Sequence, residues 1–183
     1  MKMSRRLLPA ADGSLMAESD KLAALETLGR LSNESRAVYE VWLQAQSGGK
    51  LPRYDDLHLK PVLALMPNVL VVDVLDDPRD YRYRQVGWRE VEARTTDPTG
   101  LTVRQVYEGE GLDFVLENYN LAVDNREAFV DFSIDITASQ RYVETETLFL
   151  PLSQGGGTVT QVLVYSHFLD RPKISPVRAE PDI

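Results

Sequence analysis

The sequence predicts an α+β domain: an antiparallel sheet with helices packed on one side and a further helix ahead of it. Three observations carry this. The chain reads as helix, two strands, several short helices, then three strands. Its strands follow one another through short turns, and consecutive hairpins make antiparallel sheets. One strand, Val69 to Leu75, is an almost unbroken run of β-branched and leucine residues, as expected of a strand covered on both faces.

Residues 1–18 mix Ser, Gly, Pro, Ala and charge without periodicity and read as a mobile arm. A single domain is expected over residues 19–169. It begins with a short helix carrying Leu22, Leu25 and Leu28, ahead of a stronger one that starts at Ser32. In the second helix Val38, Val41, Trp42 and Ala45 share a stripe, and Ser47-Gly48-Gly49 stops it. Leu51-Pro52-Arg53 reads as extended. Asp55 or Asp56 can cap a turn, and Pro61 starts another that Pro67 closes.

The first hairpin follows. Val69–Leu75 and Tyr81–Val86 flank Asp77-Pro78, with aspartate suited to the first turn position and proline to the second. The second strand alternates aromatic and charged residues, the mark of a half-exposed neighbour. Trp88 to Arg94 and Val103 to Tyr107 read as short helices. Leu112, Val115, Leu116, Tyr119 and Val123 set out a longer one. Three strands close the domain: Ala128–Ile136, Tyr142–Leu152 and Val159–Phe168. Residues 170–183, with three prolines, read as a loose tail.

Composition excludes much. The chain has 183 residues, net charge −8 and no cysteine. Cysteine-free chemistry removes disulfides, thiolate zinc sites, iron–sulfur clusters and cysteinyl chromophore adducts. An acidic chain whose basic residues are scattered is not expected to bind nucleic acid. No signal peptide and no run of about 18 apolar residues is present, so a cytoplasmic protein without membrane insertion is expected. His58 and His167 are the only histidines and lie in no ligand-like spacing. Neither Ser47-Gly48-Gly49-Lys50 nor Gln154-Gly155-Gly156-Gly157 has the spacing of a phosphate loop. With no nucleophile–base pair or metal cluster, no enzyme is predicted.

From Val38 to Leu169 the chain resembles a bacterial family of stand-alone PAS-like domains, about 180–200 residues long and found mostly in alphaproteobacteria. The markers are Trp42, Leu51-Pro52-Arg53, Leu65-Met66-Pro67-Asn68, Val72-Asp73-Val74, Tyr83-Arg84-Gln85-Val86-Gly87, Asp97-Pro98-Thr99-Gly100 and Leu150-Pro151-Leu152. Two departures fall in the helical cover. Thr95-Thr96 stands where the family usually has Gly-Arg, and Leu101 where it tends to a basic residue. The resemblance implies a five-stranded antiparallel sheet with its first strand central and its fifth beside it. It also implies a sensory or ligand-binding module whose signal passes by protein–protein contact. A ligand-free interaction adaptor with a filled core is the alternative, and homodimerisation is common among such domains. The cofactor is unknown, as is the signalling partner.

Hairpin register supplies site candidates. A five-residue loop Thr137–Arg141 sets Ile134 opposite Glu144, Phe132 opposite Glu146 and Val130 opposite Leu148. A one-residue slip would place Asp135 against Glu144, an unfavourable like-charge pair. Glu146 then shares a face with Phe132 and Leu148, where a carboxylate must be paired, solvated or neutralised. The expected small-molecule site is therefore Glu146 as polar anchor, with Trp88, Phe132, Leu148 and the last-strand Tyr165 around it. In the first hairpin Asp73 interrupts an apolar strand, and Arg84 is its expected partner. The last strand is apolar on both faces, so its outer face needs a cover: the Val38/Trp42 helix, or a second subunit.

Overall fold

The computed structural model describes residues 4–9, 18–136, 142–155 and 157–169. Six antiparallel strands, β1 (Ser4–Leu7), β2 (Val69–Asp76), β3 (Arg79–Val86), β4 (Phe129–Ile136), β5 (Tyr142–Leu152) and β6 (Gln161–Leu169), form one sheet. Its order is β1-β4-β5-β6-β2-β3. Leaving β1 aside, the first strand of the remaining five lies beside the fifth, the arrangement that the PAS-like resemblance implies. The fold is α+β and PAS-like.

Helices cover both faces of this sheet. Helix α1 (Glu18–Arg30) leads into α2 (Asn33–Ala45), and α2 packs on one face. Helices α3 (Trp88–Arg94), α4 (Val103–Val106) and α5 (Gly109–Asn125) cover the other. Strand β2 explains why both covers are needed. Val69 and Val71 belong to the core under α2, whereas Leu70 and Val72 belong to the core under α4 and α5. The unbroken apolar run is thus a doubly buried strand.

On the first face, α2 buries Val38, Tyr39, Val41 and Trp42. The Trp42 indole donates to Pro151 O at 2.9 Å, so its one polar atom is satisfied inside the core. The chain's own helix therefore covers the outer face of β6. In α1 the apolar stripe differs from the expected one. Ala24 and Thr27 are buried while Leu25 is exposed, because Leu25 is turned about 100° from Ala24 and about 160° from Thr27 around the helix.

The turn Asp77-Pro78 is tighter than expected, since β2 runs on to Asp76 and β3 begins at Arg79. The two residues form the whole connection, and the peptide bond between them is cis. A bulge sets the phase of β3. Val71 pairs with Gln85 but Val72 pairs with Tyr83, leaving Arg84 as the extra residue. Tyr81 and Tyr83 consequently face the α3–α5 side with Val72, and Arg82 is exposed.

Part of the expected N-terminal arm is structured. Ser4–Leu7 pairs with Phe129–Phe132 of β4, and Leu8 joins the core under α2. Four residues are too short to show a period of two, and pairing at an open sheet edge supplies what the sequence pattern lacks. The rest of that arm, the Thr137–Arg141 loop and the 170–183 tail lie outside the described residues. Arg5 ties β1 across to α5. Its guanidinium makes two contacts with the Glu117 carboxylate, at 2.8 and 2.9 Å, and lies 5.3 Å from the Phe114 ring. Arg5→Ala is expected to cost about 1 kcal/mol, an exposed ion pair plus a cation–π contact. It should also hasten proteolysis ahead of α2. An unchanged urea midpoint together with unchanged cleavage would show that the tie holds nothing.

Candidate functional site

A cavity of about 560 Å³ lies between the sheet and helices α3–α5. That size suits a small organic ligand. Its floor is built from cross-strand rows, because directly paired residues share a face. One row is apolar: Phe129 pairs with Phe149, Phe149 with Val164, and Val164 with Leu70. The next two are polar. Asp131 pairs with Thr147 and Thr147 with Ser166; Ser133 pairs with Thr145, their hydroxyls 2.7 Å apart. Asp131, Ser133, Thr145 and Ser166 are all buried, so this polar band faces the cavity beneath the helices rather than bulk water.

At the apolar end the rings form a continuous series. Tyr81 stacks on Tyr119 at 4.7 Å, Tyr119 meets Phe149 edge-on at 5.7 Å, and Phe149 stacks on Phe129 at 4.7 Å. Tyr81 Oη donates to Asn120 Oδ1 at 2.5 Å, which orients its ring. Such ring pairs hold α5 against the sheet and fix one wall of the cavity.

The roof carries charge. Arg94 Nη1 contacts Glu90 Oε2 at 2.6 Å and also donates to Glu90 O at 3.0 Å, one turn back along α3. Glu90 is 1% exposed. Burial works against the charge on Arg94, but Tyr107 and Glu90 outweigh it and hold the guanidinium protonated. Two further atoms of this pair, Glu90 Oε1 and Arg94 Nε, and Asn118 Oδ1 of α5 are buried without a hydrogen-bond partner. Tyr83 Oη makes no hydrogen bond of good geometry either, although Tyr107 and Arg94 lie close enough to shift its proton affinity. Unpartnered buried polar atoms are rare in folded proteins, and here all four belong to residues lining one cavity.

Burial raises the phenols of Tyr39, Tyr81, Tyr83, Tyr119 and Tyr165 above their ordinary range. The unfolded phenol loses its proton near pH 10 while the folded one keeps it, so this stability is whole below pH 10 and lost as pH rises beyond it. These five tyrosines should ionise only with unfolding. Phenolate absorbance is then expected to rise together with loss of helical circular dichroism; phenolate from the five in advance of unfolding would refute the burial.

None of the five expected ligand residues lines this cavity. The expected register is the observed one: Ile134 pairs with Glu144, Phe132 with Glu146 and Val130 with Leu148. The strand residues among the five lie on the opposite face of the sheet from the cavity. Phe132, Leu148 and Tyr165 pack in the core under α2. Glu146, 3% exposed, accepts from Ser32 N at 3.1 and 3.2 Å and from Ser32 Oγ at 2.9 Å. It holds the start of α2, where a carboxylate also meets the positive end of the helix dipole. Trp88, at the first turn of α3, is 59% exposed. The expected Asp73–Arg84 contact is present at 3.4 Å, but Gln161 Nε2 is the closer donor to Asp73 at 2.7 Å. Asp73 is half-buried, so Arg84 is one of two partners.

No protein-family model matches the chain, and comparison with curated proteins gives no match. Among solved structures, an RNA-binding light–oxygen–voltage receptor is similar, at 14% identity and a TM-score of 0.42, over 67% of this chain and 35% of that one. The chain thus spans about a third of that receptor's length. What the structure itself defines is the fold: an α+β domain with a six-stranded antiparallel sheet and a cavity between that sheet and its helical cover. Among the described residues, no helix is long and apolar enough to cross a membrane, and no group of His, Cys, Asp and Glu could hold a metal ion.

Proposed function

We propose that this domain is a sensory ligand-binding module that takes a small molecule into the cavity between the sheet and α3–α5. The observation that supports it is the cavity itself, about 560 Å³ with unpartnered buried polar atoms on the residues around it. Occupancy would reposition α3, whose Glu90–Arg94 pair borders the space, and pass a signal by protein–protein contact. The setting we assign is cytoplasmic bacterial signalling, with a homodimer as the working form and no catalytic role. The alternative, a ligand-free adaptor, draws on the exposed Trp88 and Leu63, which α3 and the 3-10 helix Lys60–Asn68 present.

Native mass spectrometry of protein purified without refolding is the test, since it reports bound mass and subunit number together. Thr147→Phe and Ala93→Phe fill the cavity from floor and roof respectively. Each is expected to abolish the bound mass while keeping the native circular dichroism. A wild-type protein that carries no small molecule and gains none from a metabolite extract would favour the adaptor.

A further inference from the structure

Two hydroxyls on the cavity floor stand apart from its other polar groups. Ser133 and Thr145 bond each other, their oxygens 2.7 Å apart. Asp131 sits opposite Arg5 of β1 and has interactions of its own. Thr147 and Ser166 are directly paired across β5 and β6, and both line the cavity. Among the described residues neither of their hydroxyls has a hydrogen-bond partner, although Ser166 is only 8% exposed. A hydroxyl held in this way costs stability unless something in the cavity bonds it.

The surroundings of the pair set a spacing. Two residues further along the same strands lie Phe149 and Val164, also paired, with Leu70 beside Val164. Two residues of strand span about 7 Å, and residues two apart share a face. The floor therefore carries an apolar row and, about 7 Å away, a pair of open hydroxyls. Tyr119 and Phe114 of α5 line the cavity from the other side.

Resting on the reading of this cavity as a ligand site, we infer that its ligand is a small amphiphile of fixed internal spacing, one ring and one hydroxyl about 7 Å apart. The ring lies on Phe149 and Val164 beneath α5, and the hydroxyl both donates to and accepts from Thr147 Oγ1 and Ser166 Oγ. The reverse orientation would cover those two oxygens with the ring and leave the ligand's own hydroxyl unpaired against Phe149 and Leu70.

Benzyl alcohol, 2-phenylethanol, 3-phenylpropan-1-ol and 4-phenylbutan-1-ol keep ring and hydroxyl and change the spacing alone. Every added methylene strengthens binding wherever it is buried, so affinity itself is not the readout. The readout is the factor by which Thr147→Val, which removes a hydroxyl at nearly constant shape, raises the Kd of each alcohol in an NMR titration. That factor is expected to be about fivefold for 3-phenylpropan-1-ol, the scale of one net hydrogen bond, and below about twofold for benzyl alcohol, whose hydroxyl falls short of the pair. Ser166→Ala should give the same ranking and serves if the Thr147 variant does not fold. A factor equal for all four alcohols, or largest for benzyl alcohol, overturns the spacing. Failure of the whole series to bind overturns it too; a native bound mass that Ala93→Phe abolishes would then leave the cavity reading standing alone. Binding of the series that Ala93→Phe leaves unchanged places the alcohols outside the cavity and overturns the inference together with the reading beneath it.

Discussion

Gly87→Ala is expected to destabilise the domain by about 3 kcal/mol, the upper end of what forced overpacking costs. The reason is backbone, not flexibility. Gly87 ends β3 and starts α3, and its N–H donates to Val69 O at 2.8 Å. A Cβ at this position would lie 2.3 Å from Pro67 O and 2.6 Å from both Met66 O and Pro67 C. No rotamer relieves such contacts, because all three atoms belong to main chain. Relief requires moving the 3-10 helix Lys60–Asn68 or pulling the start of α3 off β2. A fall in Tm of roughly 6–12 °C should accompany the loss. Gly29→Ala provides the control: nothing lies within 4 Å of its Cβ, and it sits in α1. That change should be neutral or stabilising by about 0.5–1 kcal/mol. Urea denaturation of both variants decides the matter. A Gly87→Ala protein within the error of the wild type would mean that the helix yields easily.

The same junction bears on function. Glu90 and Arg94, which line the cavity's roof, lie about one and two turns beyond this corner. The roof thus starts at a glycine whose Cβ position is taken up by main chain.

How far these features could be read in advance depends on the signal each one leaves. Strand β2 was legible because double burial writes an unbroken apolar run, and the β4–β5 register was legible because a one-residue slip would set Asp135 against Glu144. The sidedness of the cavity was not. Alternation marks which residues share a face, but not which face is capped by which helix. Asp131, Ser133, Thr145 and Thr147 alternate with apolar residues as the polar side of any half-exposed strand would, whereas Glu146 is a carboxylate on an otherwise apolar face. In the fold Asp131, Ser133, Thr145 and Ser166 are buried, and Glu146 is satisfied by Ser32. One signal was available: the register that pairs Phe132 with Glu146 also pairs Asp131 with Thr147 and Ser133 with Thr145. A polar band between two apolar-faced strands, extended by Ser166 on doubly apolar β6, points to an interior polar surface. Strand β1 left no such trace, and the bulge at Arg84 is set by pairing with β2 and not by any local pattern.

Glu146→Ala should cost about 2–3 kcal/mol without touching the ligand cavity, the range for losing charge-assisted hydrogen bonds inside a protein. Removing the carboxylate takes the acceptor from Ser32 N and Ser32 Oγ at once. Ser32 Oγ also accepts from Ser35 N at 3.1 Å, so the cap of α2 loses the group that positions it. The expected effect spreads along α2: faster amide exchange from Ser35 to Trp42, where the helix lies on β5 and β6. Glu146→Gln keeps one oxygen acceptor of similar reach and should lose about 1 kcal/mol. Because the side chain faces α2 and the cavity lies across the sheet, affinity for cavity probes should stay within about twofold in both variants. A variant that folds normally but loses probe binding would return Glu146 to the role of ligand anchor. One that loosens α2 and keeps probe affinity identifies it as the latch holding the N-terminal helix to the sheet.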